Sequence, residues 1–70
     1  MSKLLEKKSA VVTGAGSGVG RAASLRFAEE GARVVCADID VEAAKQTVQQ
    51  IEAAGGTAIA ISADVSREDD

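Results

Sequence analysis

A run of alternating glycines between an apolar segment and a helical pattern constrains this 70-residue chain more than any other feature. The glycines are Gly14, Gly16, Gly18 and Gly20, and they follow the apolar residues 10–12. Glycine lets a strand turn sharply into a helix and leaves backbone N–H groups unshielded by a Cβ. With the positive end of the helix dipole, those groups form a binding site for an anion. A simple turn would need only one or two glycines, so we predict that this loop binds phosphate.

Apolar segments of strand length alternate with segments of helical period. We predict strands at 9–13, 33–37 and 58–61, and helices at 19–30 and 40–54. The first strand is a continuous apolar run, which is typical of a strand buried on both faces of a parallel sheet. The alternation predicts an α/β fold with right-handed crossovers and the strand order 3-2-1.

Capping residues predict where the helices begin and end. Asp40 is a predicted N-cap, and Gly31 lies where a helix C-terminus favours a left-handed residue. The pair Gly55-Gly56 is predicted to end the second helix. Ser66 and Asp69 resemble a capping box, which indicates the start of a third helix. Each full helix also has an apolar face at helical spacing. These faces comprise Val19, Ala22, Ala23, Phe27 and Ala28 in the first helix, and Val41, Ala44, Val48 and Ile51 in the second.

Two acidic residues follow the second and third predicted strands. Asp38 lies at about the distance from the glycines expected of a carboxylate that accepts hydrogen bonds from an adenosine ribose. Its charge would repel a 2′-phosphate, and the next residues, Ile39 and Asp40, carry no positive charge, so the pattern favours NAD over NADP. Asp64 could accept from an adenine amino group while the N–H of Val65 donates to a ring nitrogen. A solvated loop aspartate is the alternative for both carboxylates.

Other ligand classes fit the sequence less well. A P-loop needs Gly-Lys followed by Ser or Thr, whereas Gly20 precedes Arg21. Adenosylmethionine sites of this shape usually carry an acidic residue where Thr13 stands. A calcium loop starting at Asp38 would need glycine at position 43 and glutamate at position 49, which are Ala43 and Gln49. We therefore predict no metal site.

Composition narrows the class of protein further. The net charge is −3 with interspersed charges, which disfavours a nucleic-acid partner. No segment is long enough for a membrane span or a signal-peptide core, so a cytoplasmic location is expected. The single cysteine, Cys36, is expected to be a buried thiol. Hydrophobic residues make up 46% of the chain but are mostly small, so the chain alone is expected to be marginally stable.

The chain resembles the N-terminal third of a short-chain dehydrogenase/reductase, from about residue 8 to residue 70. The resemblance rests on the glycine pattern that begins at Thr13, on Asp38 and on the Asp64-Val65 pair. It implies the Rossmann-type βαβαβ half of a doubly wound parallel sheet, within one dinucleotide-binding domain that takes in residues 1–70. It also implies a nicotinamide dinucleotide, NAD, as cofactor, with hydride transfer to or from an alcohol or ketone. The implied cofactor-binding residues are Thr13, Gly14, Gly16, Ser17, Gly18, Val19, Gly20, Asp38, Ile39, Asp64 and Val65.

The catalytic part of the family pattern is missing from the chain. The family uses a Ser-Tyr-Lys centre supported by an asparagine, and this sequence contains neither tyrosine nor asparagine. We therefore assign no catalytic residue, and we expect the segment to be inactive alone and to belong to a parent oxidoreductase that is a homo-oligomer. The alternative is a free-standing, non-catalytic nucleotide-binding module or NAD(H) sensor.

Overall fold

The computed structural model describes residues 8–63, which form a three-stranded parallel sheet and two α-helices. In chain order the elements are β1 (Ser9–Thr13), α1 (Gly18–Glu29), β2 (Arg33–Asp38), α2 (Val41–Ala53) and β3 (Thr57–Ser62). The strand order is β1-β2-β3, with β2 in the centre. The predicted βαβαβ fold, the parallel pairing and the strand order are confirmed. The predicted capping box at Ser66 and Asp69 lies outside the described residues.

Both helices cover the same face of the sheet. α1 packs on β1 and β2, while α2 packs on β2 and β3. The core between these layers consists of the buried residues Val12, Ala15, Ala32, Val34, Cys36, Ala44, Ile51 and Ala58. Most of these side chains are small, so the backbones of the helices can approach the sheet closely. Cys36 is a buried free thiol, as predicted, and burial raises the pKa of that thiol.

The opposite face of the sheet is exposed among the described residues. Val11 on β1 and Ile59 on β3 are 67% and 57% exposed, whereas their neighbours Val12 and Ala58 are buried. Within residues 8–63, β1 is an outer strand that is buried on one face only. Two right-handed crossovers that move in the same direction across a sheet place both helices on one side of it.

The predicted helix faces agree with the structure for α2 and differ for α1. In α2, Ala44 and Ile51 are buried, as the stripe predicted. In α1, Val19 and Ala22 were predicted to share the apolar face, but both are exposed, Val19 to 87%. The fully buried residue of α1 is the polar Ser24. Its hydroxyl donates to the carbonyl of Gly20 at 2.8 Å.

The predicted helix ends are confirmed. Asp40 caps α2 by accepting a hydrogen bond from the N–H of Ala43 at 3.2 Å. Gly31 and Gly55 follow the two helices with φ of +98° and +92°, the left-handed conformation that glycine adopts without strain. These turns return the chain to the amino edge of the sheet. The carboxyl edge of the strands, on the opposite side, remains open for a site.

Candidate functional site

The loop between β1 and α1 lies at the carboxyl edge of the sheet. Gly14 takes a left-handed backbone with φ of +68°, which turns the chain away from β1. Its carbonyl accepts hydrogen bonds from the N–H of Ser17 at 3.2 Å and from the Ser17 hydroxyl at 3.1 Å. The N–H of Ala15 donates to the carbonyl of Ala37 on β2 at 3.1 Å. The loop is therefore a closed turn fastened to the central strand.

The first turn of α1 presents backbone N–H groups that the protein does not use. Within residues 8–63, the amides of Gly18, Val19 and Gly20 have no hydrogen-bond acceptor. The side chain of Ser17 does not cap the helix, and the first turn contains no acidic residue. Unpaired amides and the positive end of the helix dipole together favour a bound anion.

Three of the alternating glycines, one in the loop and two in the first turn of α1, differ in why a side chain is absent. A Cβ on Gly20 would overlap the carbonyl oxygen of Gly14, and a Cβ on Gly16 would overlap the Cβ of Ala43 on α2. A Cβ on Gly18 would meet nothing within 4 Å, and Gly18 does not have a positive φ. Packing within the protein thus requires glycine at positions 16 and 20. Nothing in the described residues requires it at position 18, where the space beside the free amides stays open.

Asp38 ends β2 beside the loop, as its spacing predicted. Its Oδ2 accepts from the N–H of Gly16 and its Oδ1 from the N–H of Asp40, each at 2.9 Å. The hydrogen bonds from Asp40 and then Gly16 lower the pKa of the Asp38 carboxyl, so it is ionised at neutral pH. Each oxygen retains capacity to accept one more hydrogen bond. The carboxylate is held in place and can still bind a hydroxyl group.

A depression of about 170 Å³ lies between the start of the loop and the ends of β2 and β3. It is lined by Thr13, Gly14, Asp38, Ile39 and Ala63. Four of these residues belong to the predicted cofactor-binding set. Ala63 also lines the depression and was not predicted. The side chain of Ile39 is 67% exposed at this edge, so an apolar surface is available to a ring.

The remaining predicted site residues fall into three groups. Gly16 lies within the loop, where its N–H donates to Asp38. Ser17 is the N-cap of α1, and Gly18, Val19 and Gly20 are the first three residues of that helix. Asp64 and Val65 lie outside the described residues, so their adenine contacts stay predictions. Two residues that were not predicted also contact the loop: Thr47 donates to the carbonyl of Ala15, and Arg21 donates to the carbonyl of Gly16. A polar residue within the apolar stripe of α2 was the available signal for Thr47.

The other depressions of the described residues are not lined by residues of the glycine loop. A depression of about 220 Å³ lies between the C-terminal ends of the helices and is lined mostly by apolar groups such as Leu25 and Ile51. Residues 8–63 bring no three His, Cys, Asp or Glu side chains close enough to hold a metal ion. Neither of the two described helices is long and apolar enough to cross a membrane.

Comparison with known proteins gives consistent matches. The family model for short chain dehydrogenases matches residues 8–70. The chain is 50% identical over 66 residues to 2,5-dichloro-2,5-cyclohexadiene-1,4-diol dehydrogenase of Sphingobium indicum, which covers 94% of this chain and 26% of that protein. Hydroxysteroid dehydrogenase from Escherichia coli matches with a TM-score of 0.86 at 42% identity, over 89% of this chain and 26% of that one. A metagenomic short-chain oxidoreductase in complex with NADP matches with a TM-score of 0.87 at 41% identity, over 90% and 28%.

These matches cover most of this chain but only about a quarter of the length of each relative. The family comprises oxidoreductases that bind a nicotinamide dinucleotide. Its members share the Rossmann-type half-sheet described above. The family model takes in β1, the glycine loop, Asp38 and every later residue of the chain. The chain belongs to the short-chain dehydrogenase family.

Proposed function

We propose that this chain binds NAD, as the cofactor-binding segment of an oxidoreductase that transfers a hydride between NAD(H) and an alcohol or ketone. The observation that carries the proposal is the open space at Gly18 beside three unpaired amides. A diphosphate offers several negatively charged acceptors, and hydrogen bonds to charged groups contribute about 1.5–3 kcal/mol each. The start of α1 supplies the donors and the space for such a group.

Asp38 supports binding of the adenosine ribose next to the diphosphate. Its oxygens are fixed by the amides of Gly16 and Asp40, so a hydroxyl donor meets an acceptor that is already oriented. The lowered pKa of Asp38 keeps its carboxylate charged, and a 2′-phosphate would place like charges close together. Ser17 offers no positive charge to offset that repulsion. These features favour NAD over NADP, although a structural relative binds NADP.

The adenine ring would lie among apolar and polar groups from three segments. The exposed side chain of Ile39 offers an apolar surface, and Val19 is exposed at the start of α1. Asp64 and Val65 are proposed to form the polar contacts to the ring. The described residues thus offer apolar surface for the ring.

The bound cofactor would supply the hydride acceptor or donor. The residues of this segment would hold the cofactor and exclude NADP, and none of them is assigned a catalytic role. Two relatives are named for dehydrogenation of a diol and of a hydroxysteroid, which supports an alcohol or ketone as the substrate class.

Calorimetric titration with NAD, NADP and adenosylmethionine tests this proposal on the protein expressed from its complete reading frame. We expect NAD to bind more tightly than NADP and adenosylmethionine not to bind. Asp38→Asn, which removes the charge but retains an acceptor oxygen, should lower the NAD/NADP affinity ratio roughly tenfold, a free-energy change of about 1.4 kcal/mol. Asp40→Asn is the matched control, because it removes the same charge two residues away and should change the ratio less.

Two results would contradict the proposal. Failure of both dinucleotides to bind would exclude a dinucleotide site, and tighter binding of NADP by the wild-type protein would exclude the role given to Asp38. An NAD/NADP ratio that changes equally in Asp38→Asn and Asp40→Asn would assign the preference to net charge and not to contact with the ribose.

A further inference from the structure

We infer that Thr47 and Arg21 are positioning residues of the cofactor site. They hold the carbonyl groups of the glycine loop and so orient the loop before any ligand binds. This inference rests on the proposed function. The Thr47 hydroxyl is fully buried on α2, where it donates to the carbonyl of Ala15 at 2.8 Å and accepts from Nε of Arg21 at 2.9 Å. One hydroxyl thus connects α2, α1 and the loop. Thr47 and Arg21 are called the latch below.

Arg21 holds the next carbonyl of the loop. Its Nη2 donates to the carbonyl of Gly16 at 3.1 Å and lies 3.4 Å from both the carbonyl of Ala43 and Oε1 of Gln46. Arg21 follows Gly20 directly, so the residue that holds the loop belongs to the same helix turn that offers free amides to a ligand. The fork of a guanidinium suits this task because it can donate to several acceptors in one plane.

The latch fixes two consecutive peptide groups, each of which is also held at its other end. The peptide between Ala15 and Gly16 has its carbonyl on Thr47 and its N–H on Asp38. The following peptide has its carbonyl on Arg21, and its N–H, from Ser17, donates to Gly14. A planar trans peptide that is held at both ends cannot rotate without breaking a hydrogen bond. The loop therefore needs little further ordering when a ligand binds.

Packing of α2 alone does not account for the hydroxyl at position 47. The neighbouring positions of the same stripe, Ala44, Val48 and Ile51, are apolar, so valine would suit the stripe equally well by shape. A buried hydroxyl must be hydrogen-bonded to be tolerated, and a satisfied polar network specifies one geometry. Among the described residues no buried side-chain polar atom lacks a partner, so this network is complete. What threonine adds over valine is the orientation of the loop.

Thr47→Val and Thr47→Ser separate orientation of the loop from packing, in the protein expressed from its complete reading frame. Thr47→Val keeps the shape of the side chain and leaves the Ala15 carbonyl and the Arg21 Nε without their partner. We expect roughly tenfold weaker binding of NAD and of NADP alike, with an unchanged ratio between them. Thr47→Ser keeps the hydroxyl and should bind both within about threefold of wild type. Arg21→Met should act in the same direction as Thr47→Val, and it decides the question if Thr47→Val does not fold.

Hydrogen exchange in the ligand-free protein supplies a second, independent measurement. The amide of Gly16 should exchange severalfold faster in Thr47→Val than in wild type, while amides of β2 report any change in global stability. The inference is overturned if Thr47→Val, or Arg21→Met in its place, binds NAD as wild type does. It is also overturned if the Gly16 amide keeps its exchange rate relative to β2, or if Thr47→Ser is as weak as Thr47→Val. A wild-type protein that binds neither dinucleotide contradicts the proposed function, and the exchange rates then still decide on the latch.

Discussion

The two crossover units, β1–α1–β2 and β2–α2–β3, share one architecture and differ at the start of their helices. α2 begins with Val41 and Glu42, and its N-cap Asp40 accepts a hydrogen bond from the first turn. α1 begins with Gly18 and Val19, with no side-chain cap and no acidic residue in its first turn. Every α-helix has a positive N-terminal end with unpaired amides. The protein neutralises that end in α2 and leaves it open in α1, which makes α1 the helix suited to an anionic ligand.

Gly18→Val gives α1 the same first residue as α2 and should have the largest effect. The added side chain enters the open space beside the free amides, without a clash in the protein. Loss of only two hydrogen bonds to a diphosphate, at about 1.5 kcal/mol each, corresponds to roughly 100-fold weaker NAD binding. Calorimetric titration measures this loss, and the free energy of unfolding should change by no more than about 0.5 kcal/mol.

Ala22→Val is the control for Gly18→Val. It adds a larger side chain to an exposed position of the same helix, one turn later, and should leave NAD affinity unchanged. Wild-type affinity in Gly18→Val would mean that the ligand does not approach the start of α1.

Val19→Glu copies the second residue of α2 into α1 and should change stability and binding in opposite directions. A carboxylate in the first turn interacts favourably with the helix dipole, by about 0.3–1 kcal/mol, so the free energy of unfolding should rise. The same charge repels a diphosphate, so NAD should bind roughly tenfold more weakly. Chemical denaturation and titration measure the two effects separately.

Val19→Gln serves as the uncharged control for Val19→Glu. It should show neither effect in full, and added salt should reduce the difference between the two variants. Equal NAD affinity of the two variants at low salt would show that charge at this helix end does not affect the ligand.

Several features that distinguish the two helix starts were predictable from the sequence because they depend on local patterns. The glycine spacing, the strand at residues 9–13 and the Asp40 cap each depend on neighbours within a few positions, and the structure confirms the strand and the cap. The exposure of Val19 was not predictable from helical period, which shows which residues share a face but not which of them another element covers.

The long-range hydrogen bonds could not be predicted from the sequence, for a different reason. Thr47 and Ala15 are 32 residues apart, and Arg21 and Thr47 are 26 residues apart. Only the packing of α2 against the loop and α1 brings these residues together. The bond from the Gly16 amide to Asp38 likewise depends on how the loop lies against β2. The strand, the turn at Gly14 and the place of Asp38 at the end of β2 were therefore predictable, whereas the hydrogen bonds that orient the loop were not.

Asp40→Ala removes the cap of α2 and should have the smallest effect on the ligand. Loss of an N-cap costs about 1 kcal/mol of folding free energy, which urea unfolding can measure. Asp40→Ser retains a capping oxygen and should recover most of that loss. NAD affinity, measured where the variant is fully folded, should stay within about twofold of wild type, because Asp38 keeps the backbone N–H of residue 40 as a donor. A large loss of NAD affinity in Asp40→Ala but not in Asp40→Ser would show that the capped end of α2 also supports the ligand, and the contrast between the two helix starts would then be one of degree.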